Sequence, residues 1–368
     1  MTRYSLIVFL LFSGVLFAQN DLSYRYNNTE QDTLDFKLAL SIKNNNFFKN
    51  NEYFSPIMEG YTLLGYNFAP SLVYCFDSRF SLKAGVNALR YHGLANETEI
   101  SPILSANLKL FNNFEVVMGT LRGNVRHNMI EPMFDPELQI TKPNESGFQF
   151  LYSGKRLFLD AWLDWEQFIK HGDTIPEIFT AGISSEITLI DSNAGWSLKL
   201  PFQFIAKHVG GQIGFRSVPL QTHCNVATGL DLSKKTTGFV EKLGLFGYYL
   251  LYNEATKSNI IGFRSGNAFY GGTNINVKNG FLMLGYWNAH NFYAPKGCPI
   301  FQSISYPNNN LIINKRSLLT GKLGYHRNFT PQLKFSLVAE TYYDLIDSRL
   351  DYSYTMNILF TPYFVIFR

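Results

Sequence analysis

Charge is scarce in this chain. Only 16% of its 368 residues are charged, against about 25% in an ordinary soluble domain. Cysteine is scarcer: Cys75, Cys224 and Cys298 are too few and too scattered for a disulfide framework or a metal site, and they read as structurally incidental. No run of Lys or Arg occurs and the formal net charge is +4, which argues against a nucleic-acid partner. Beyond the first 18 residues no apolar run approaches the length of a membrane-spanning helix. A mean hydropathy of −0.06 is likewise too polar for a helical membrane bundle.

Catalytic signatures are also wanting. There is no Gly-x-Ser-x-Gly elbow, and no Cys/His pair stands at metal-ligand spacing. The histidines, His92, His127, His171, His208, His223, His290 and His326, fall mostly at expected strand ends or in loops. His171 with Asp173 and Glu177 is a weak acid/base grouping by spacing alone. The sequence therefore predicts no enzyme, no catalytic residue, no metal and no cofactor.

What the chain does have is 46% hydrophobic residues, with 33 Phe, 22 Tyr and 28 Gly, a composition suited to strands and polar turns. Met1-Thr2-Arg3, the apolar stretch Tyr4 to Phe17 and Ala18 before Gln19-Asn20 have the layout of a cleaved secretory signal peptide over residues 1–18. Residues 19–33 then form a short periplasmic segment, and residues 34–368 the main domain.

That domain alternates with period 2 over segments of about ten residues. Phe80, Leu82, Ala84, Val86 and Ala88 alternate with Ser81, Lys83, Gly85 and Asn87. Trp196, Leu198, Leu200, Phe202 and Phe204 alternate with Ser197, Lys199 and Gln203. One face of such a strand can meet lipid and the other water.

Short turns rich in Gly, Asn, Asp or Ser are expected near 77–79, 112–113, 153–156, 191–195, 233–237, 277–280 and 327–331. Longer loops are expected near 43–58, 91–101, 123–146, 169–177, 207–223, 251–258, 288–315 and 343–349. Seven turns alternating with eight loops give about sixteen strands, within a range of 14–18, with Pro70 interrupting one of them. The fold class is all-β: a closed antiparallel transmembrane β-barrel with short periplasmic turns and long external loops, because strands in lipid must satisfy every backbone group. Tyr363-Phe364-Val365-Ile366-Phe367-Arg368 ends the chain as an aromatic strand, one place removed from an aromatic last residue.

This architecture resembles the porin-like outer-membrane barrels of Gram-negative bacteria, over nearly the whole chain. The resemblance implies insertion by the barrel-insertion machinery, contact with outer-membrane lipid and passage of small hydrophilic solutes, saccharides among them. A homo-oligomer or an envelope partner would be in keeping with it. In sixteen-stranded porins the third external loop folds inward, and here that loop carries Arg122, Arg126, His127, Glu131, Asp135 and Glu137. By analogy Glu131, Asp135 and Glu137 would form an acidic constriction facing basic wall residues.

Residues 157–168 are the sharpest local feature. Period 2 puts Asp160, Trp162, Asp164 and Glu166 on the lumen face. They could hold a sugar, or pair with Lys83, Lys109, Lys199 or Lys322 on other strands. Two rival functions remain: a non-channel component of a secretion or polysaccharide-export assembly, and an outer-membrane enzyme acting on lipid or glycan.

Overall fold

The computed structural model describes residues 37–367 apart from 95–96, 124–126, 212–218, 257, 259 and 309. The expected signal peptide and periplasmic segment lie outside the described residues. So does Arg126.

The strands follow one another as an up-and-down meander. The first half comprises β1 (Lys37–Glu52), β2 (Tyr61–Cys75), β3 (Phe80–Tyr91), β4 (Thr98–Phe111), β5 (Phe114–Thr120), β6 (Ser146–Ser153), β7 (Leu157–Gln167) and β8 (Glu177–Asp191). The second half comprises β9 (Trp196–Gly210), β10 (Gln221–Lys235), β11 (Val240–Glu254), β12 (Ser265–Val277) and β13 (Gly280–His290). It closes with β14 (Lys315–Asn328), β15 (Leu333–Asp344), β16 (Arg349–Phe360) and β17 (Tyr363–Phe367).

Each strand pairs antiparallel with its sequence neighbour, and β1 pairs with β2 on one side and with β16 and β17 on the other. Thr361-Pro362 merely breaks the last stave in two, so the wall is a closed sixteen-stranded barrel with no free edge. Ile42 N still donates to Pro362 O (3.1 Å) across the break.

Side chains alternate as lipid and water require. On β16, the outward Leu350, Tyr352, Tyr354, Met356, Ile358 and Phe360 are each 38–48% exposed, while Asp351, Ser353 and Leu359 are buried. Such an apolar outer band with a polar interior is the signature of an outer-membrane barrel.

All seven expected short turns join strands where the Asn, Gly and Asp clusters fall. The loops are shorter than expected at several places. Residues 43–52 belong to β1, and β2 runs straight through Pro70. Pairing with β3 lapses at residues 69 and 70 and resumes in the same register at Ser71–Gly85, because proline contributes no N–H to the ladder.

At the long-loop end, the described parts of the loops 121–145 and 291–314 turn into the barrel. Met133, Phe134, Phe292, Ile300 and Phe301 pack there with the wall residues Trp162, Tyr270, Trp287 and Tyr342 as one apolar cluster. The two loops also bind one another: Asp135 N donates to Lys296 O (2.7 Å) and Cys298 N to Glu131 O (2.9 Å). A Cβ on Gly297 would overlap the Pro132 carbonyl, so only glycine allows this approach.

Candidate functional site at a notch in the barrel wall

Two neighbouring strands are too short. A strand needs about 9–11 residues to cross the hydrocarbon core, yet β5 has 7 and β6 has 8. Both reach the short-turn end, β5 at its first residue and β6 at its last, so the shortfall lies at the long-loop end. There the ladder between β4 and β5 stops at Ser105–Gly119, and that between β6 and β7 stops at Gly147–Asp164. The upper residues of β4 (98–104) and of β7 (165–167) therefore flank a gap in the wall.

Residues 142–145 cover this notch. Asn144 Nδ2 donates to Ser101 Oγ (2.9 Å), Ser146 N to Asp164 Oδ1 (2.9 Å) and Leu121 N to Glu145 O (2.9 Å). A cavity of about 410 Å³ opens here. Its lining joins two faces of the wall: outward Ile100, Pro102 and Trp165, and inward Ser101, Glu145, Asp164, Glu166 and Lys296.

Behind the cavity stands a buried charge cluster. His127 Nδ1 lies 2.9 Å from Asp160 Oδ2, and Nε2 lies 2.9 Å from Glu145 Oε2. Gln149 Nε2 donates to Asp160 Oδ1 (3.0 Å). The His127 ring stacks on Trp162, centroids 3.5 Å apart and planes at 12°, an arrangement that favours the imidazolium form. Trp162 can lie flat because residue 182 beneath it is glycine; a Cβ there would overlap the indole. Burial alone would lower the His127 pKa, but the Asp160 and Glu145 carboxylates prevail and raise it to about 10. His127 thus carries a proton between two carboxylates.

Lys296, from the second inward loop, completes the site. Its Nζ is 2.8 Å from Glu166 Oε1 and 3.8 Å from Asp164 Oδ2. Burial pushes its pKa down, and Glu166 beside it more than offsets this, so the ammonium is retained. Glu166 also meets Lys207 Nζ (3.2 Å) and accepts from Thr180 Oγ1 (2.6 Å).

The residues singled out from sequence thus divide into two groups. Asp160, Trp162, Asp164 and Glu166 do share the lumen face and surround His127 and Lys296. Two of the lysines expected beside them lie elsewhere: Lys199 holds Glu186 (2.6 Å), and Lys322 holds Glu340 (2.6 Å) and Glu131. Glu131, Asp135 and Glu137 form the second group, on the inward loop. Glu137 meets Lys49 (2.6 Å) and Tyr61, while Asp135 Oδ1 accepts from Glu137 N (2.9 Å). Burial raises the Asp135 pKa. Arg122 pairs with Glu115, and its backbone N donates to Gln149 Oε1 (3.0 Å) at the edge of the first group.

Sequence reasoning missed Glu145, Lys296 and the pairing role of His127. Only tertiary folding brings these positions together. Among the described residues, no group of three His, Cys, Asp or Glu is arranged to hold a metal ion.

Known structures share the fold. The chain is similar to OprD of Pseudomonas aeruginosa (TM-score 0.53, 9% identity, covering 90% of this chain and 98% of that one). It is also similar to OccAB2 of Acinetobacter baumannii (0.51, 12%, 89% and 98%) and to a loop-deleted OmpT of Vibrio cholerae (0.51, 10%, 88% and 99%). These are outer-membrane barrels, and at such identities the likeness concerns the fold alone. No curated protein matches the chain closely enough to count as a relative.

A family model described as lipid A 3'-O-deacylase-type matches residues 28–368. An enzyme family over nearly the whole chain overturns the expectation of a barrel without enzymatic role. The missing elbow motif was a poor guide, because acid/base groups on separate strands and loops leave no local signature. The protein is a porin-like outer-membrane β-barrel that belongs to the lipid A 3'-O-deacylase-type family.

Proposed function

We propose that the protein hydrolyses an acyl ester of an outer-leaflet glycolipid of the lipid A kind at the notch between β4 and β7. The observation that carries this is the cavity lined at once by lipid-facing Ile100, Pro102 and Trp165 and by Glu145 and Lys296. An ester carried by a lipid in the outer leaflet can approach that opening sideways, whereas it has no route down the lumen.

In this reading Glu145 is the general base. It takes a proton from water, whose oxygen attacks the ester carbonyl carbon. The Lys296 ammonium faces the oxyanion that develops, a stabilisation that gains strength in a water-poor site. Collapse breaks the acyl–oxygen bond, and the departing sugar alkoxide recovers the proton from Glu145. The products are a free fatty acid and a sugar hydroxyl. His127 and Asp160 act as positioning residues that fix the Glu145 carboxylate.

The test is mass spectrometry of lipid A incubated with detergent-folded protein. Loss of one acyl chain is expected, with a drop of roughly 10²–10⁴-fold in Glu145→Gln, the usual range for a general base. An unaltered lipid mass with heat-modifiable protein would sink the proposal.

A second reading, passage of small hydrophilic solutes such as saccharides, is favoured by the porin-like fold and by the facing pairs Glu131–Lys322 and Glu137–Lys49 on loop and wall. Single-channel conductance in a planar bilayer tests it: defined steps support it and silence counts against it.

A further inference from the structure

A second cavity, of about 210 Å³, lies on the short-turn side of the inward loop 121–145. Its roof is that loop, from Asn128 to Gln139. Its walls reach down to Lys199, Lys242, Asn276 and Phe281, close to the turns at 192–195, 236–239 and 278–279. It is therefore separate from the notch and faces the opposite side of the membrane.

The lining is largely apolar, with charged side chains set into it. Five carboxyl side chains, Glu131, Asp135, Glu186, Asp231 and Glu340, face three lysines, Lys199, Lys242 and Lys322. Lys199 and Lys322 are already engaged with Glu186 and with Glu340 and Glu131. Three buried oxygens around the cavity have no hydrogen-bond partner: Glu131 Oε2, Asp231 Oδ1 and Asn274 Oδ1. Asn274 is only 4% exposed, so its orphaned carbonyl oxygen represents an unmet demand inside the fold. No lining donor among the described residues is orphaned in the same way. Phe246, Tyr248 and Phe281 add ring surface beside these acceptors.

We infer that this cavity binds an amino sugar of monosaccharide size entering from the periplasmic side. An ammonium group answers the excess of carboxylates, ring hydroxyls donate to the orphaned oxygens, and the apolar sugar face rests on the aromatic wall. The volume lies below the roughly 300 Å³ at which drug-sized pockets begin, so a single ring is what it admits. The inference does not depend on hydrolysis at the notch, which uses other residues.

Isothermal titration calorimetry of the detergent-folded protein with glucosamine, glucose and N-acetylglucosamine tests it. Glucosamine should bind with a dissociation constant at least tenfold below that of either neutral sugar. Asp231→Asn and Asn274→Leu, each first shown to be heat-modifiable and so folded, should each weaken glucosamine by tenfold or more. No heat with any sugar, equal binding of glucose, or unchanged binding in both folded variants would overturn the inference.

Discussion

At the scale of single residues, the site rests on His127 and the two groups that hold it flat. Removing its side chain in His127→Ala leaves Asp160 and Glu145 buried without their cation. Breaking a buried ion pair in this way costs about 3–5 kcal/mol, to be read as a lower denaturant midpoint for loss of heat-modifiability. Gly182→Ala forces the Trp162 ring out of its place. Overpacking of that kind costs about 1–3 kcal/mol, and Trp162 should show it as a changed fluorescence maximum.

The pH dependence has a definite sign. His127 has a folded pKa of about 10 against an ordinary value of 6.5. Its contribution to stability is therefore complete below about pH 6.5 and is lost as pH rises through about 10. Urea melts should show a fall in stability on the alkaline side that is absent in His127→Gln. A residue's environment was only half legible in the sequence. Period 2 placed Asp160, Trp162, Asp164 and Glu166 on one face, but nothing local could show that Lys296, more than a hundred residues away, would meet them.

At the scale of elements, the short strands β5 and β6 and the two inward loops make one device. The short strands open the wall, and the loops fill the space behind it. Gly297 is the joint between the loops, so Gly297→Val should drive them apart at Pro132. Burial and then the Asp135 carboxylate raise the Cys298 thiol beside that joint, so it should react slowly with a maleimide. In Gly297→Val its labelling, followed by mass spectrometry of the peptide, should speed up at least tenfold. An unchanged rate would mean that the loops hold together without the joint.

Turn positions were readable because Asn, Gly and Asp are demanded by tight hairpins whatever the tertiary context. Strand ends at the loop side were not. In β1 the outward positions Leu38, Leu40 and Ile42 give way to Asn44 and Asn46, so alternation fades while pairing with β2 continues to Asn51–Tyr61. Asn44 and Asn46 pair with Phe360 and Ile358 of β16, so the hydrophobic period lapses inside the apolar band while the backbone hydrogen bonds run on, and side-chain pattern alone misplaces the strand end.

At the scale of the whole molecule, sixteen strands enclose enough space for an aqueous channel, and here the external half of that space is packed with aromatic side chains. Planar-bilayer conductance should accordingly be small in the intact protein. It should rise severalfold when residues 293–311 are replaced by a short Gly-Ser link. The closed barrel itself was legible from alternation and turns, since lipid allows strands no other arrangement. Its enzymatic family was not, because a barrel disperses a site over strands and loops that meet only after closure.

The most direct test of sideways entry is to lock the notch. Ser101 and Asn144 touch across it, and Ser101→Cys/Asn144→Cys, made in a background with the native cysteines replaced by serine, would staple the cover to β4. Release of fatty acid from lipid A should stop in the oxidised protein and return on reduction. Equal release in both states would contradict entry through the wall and would move the reaction away from the notch.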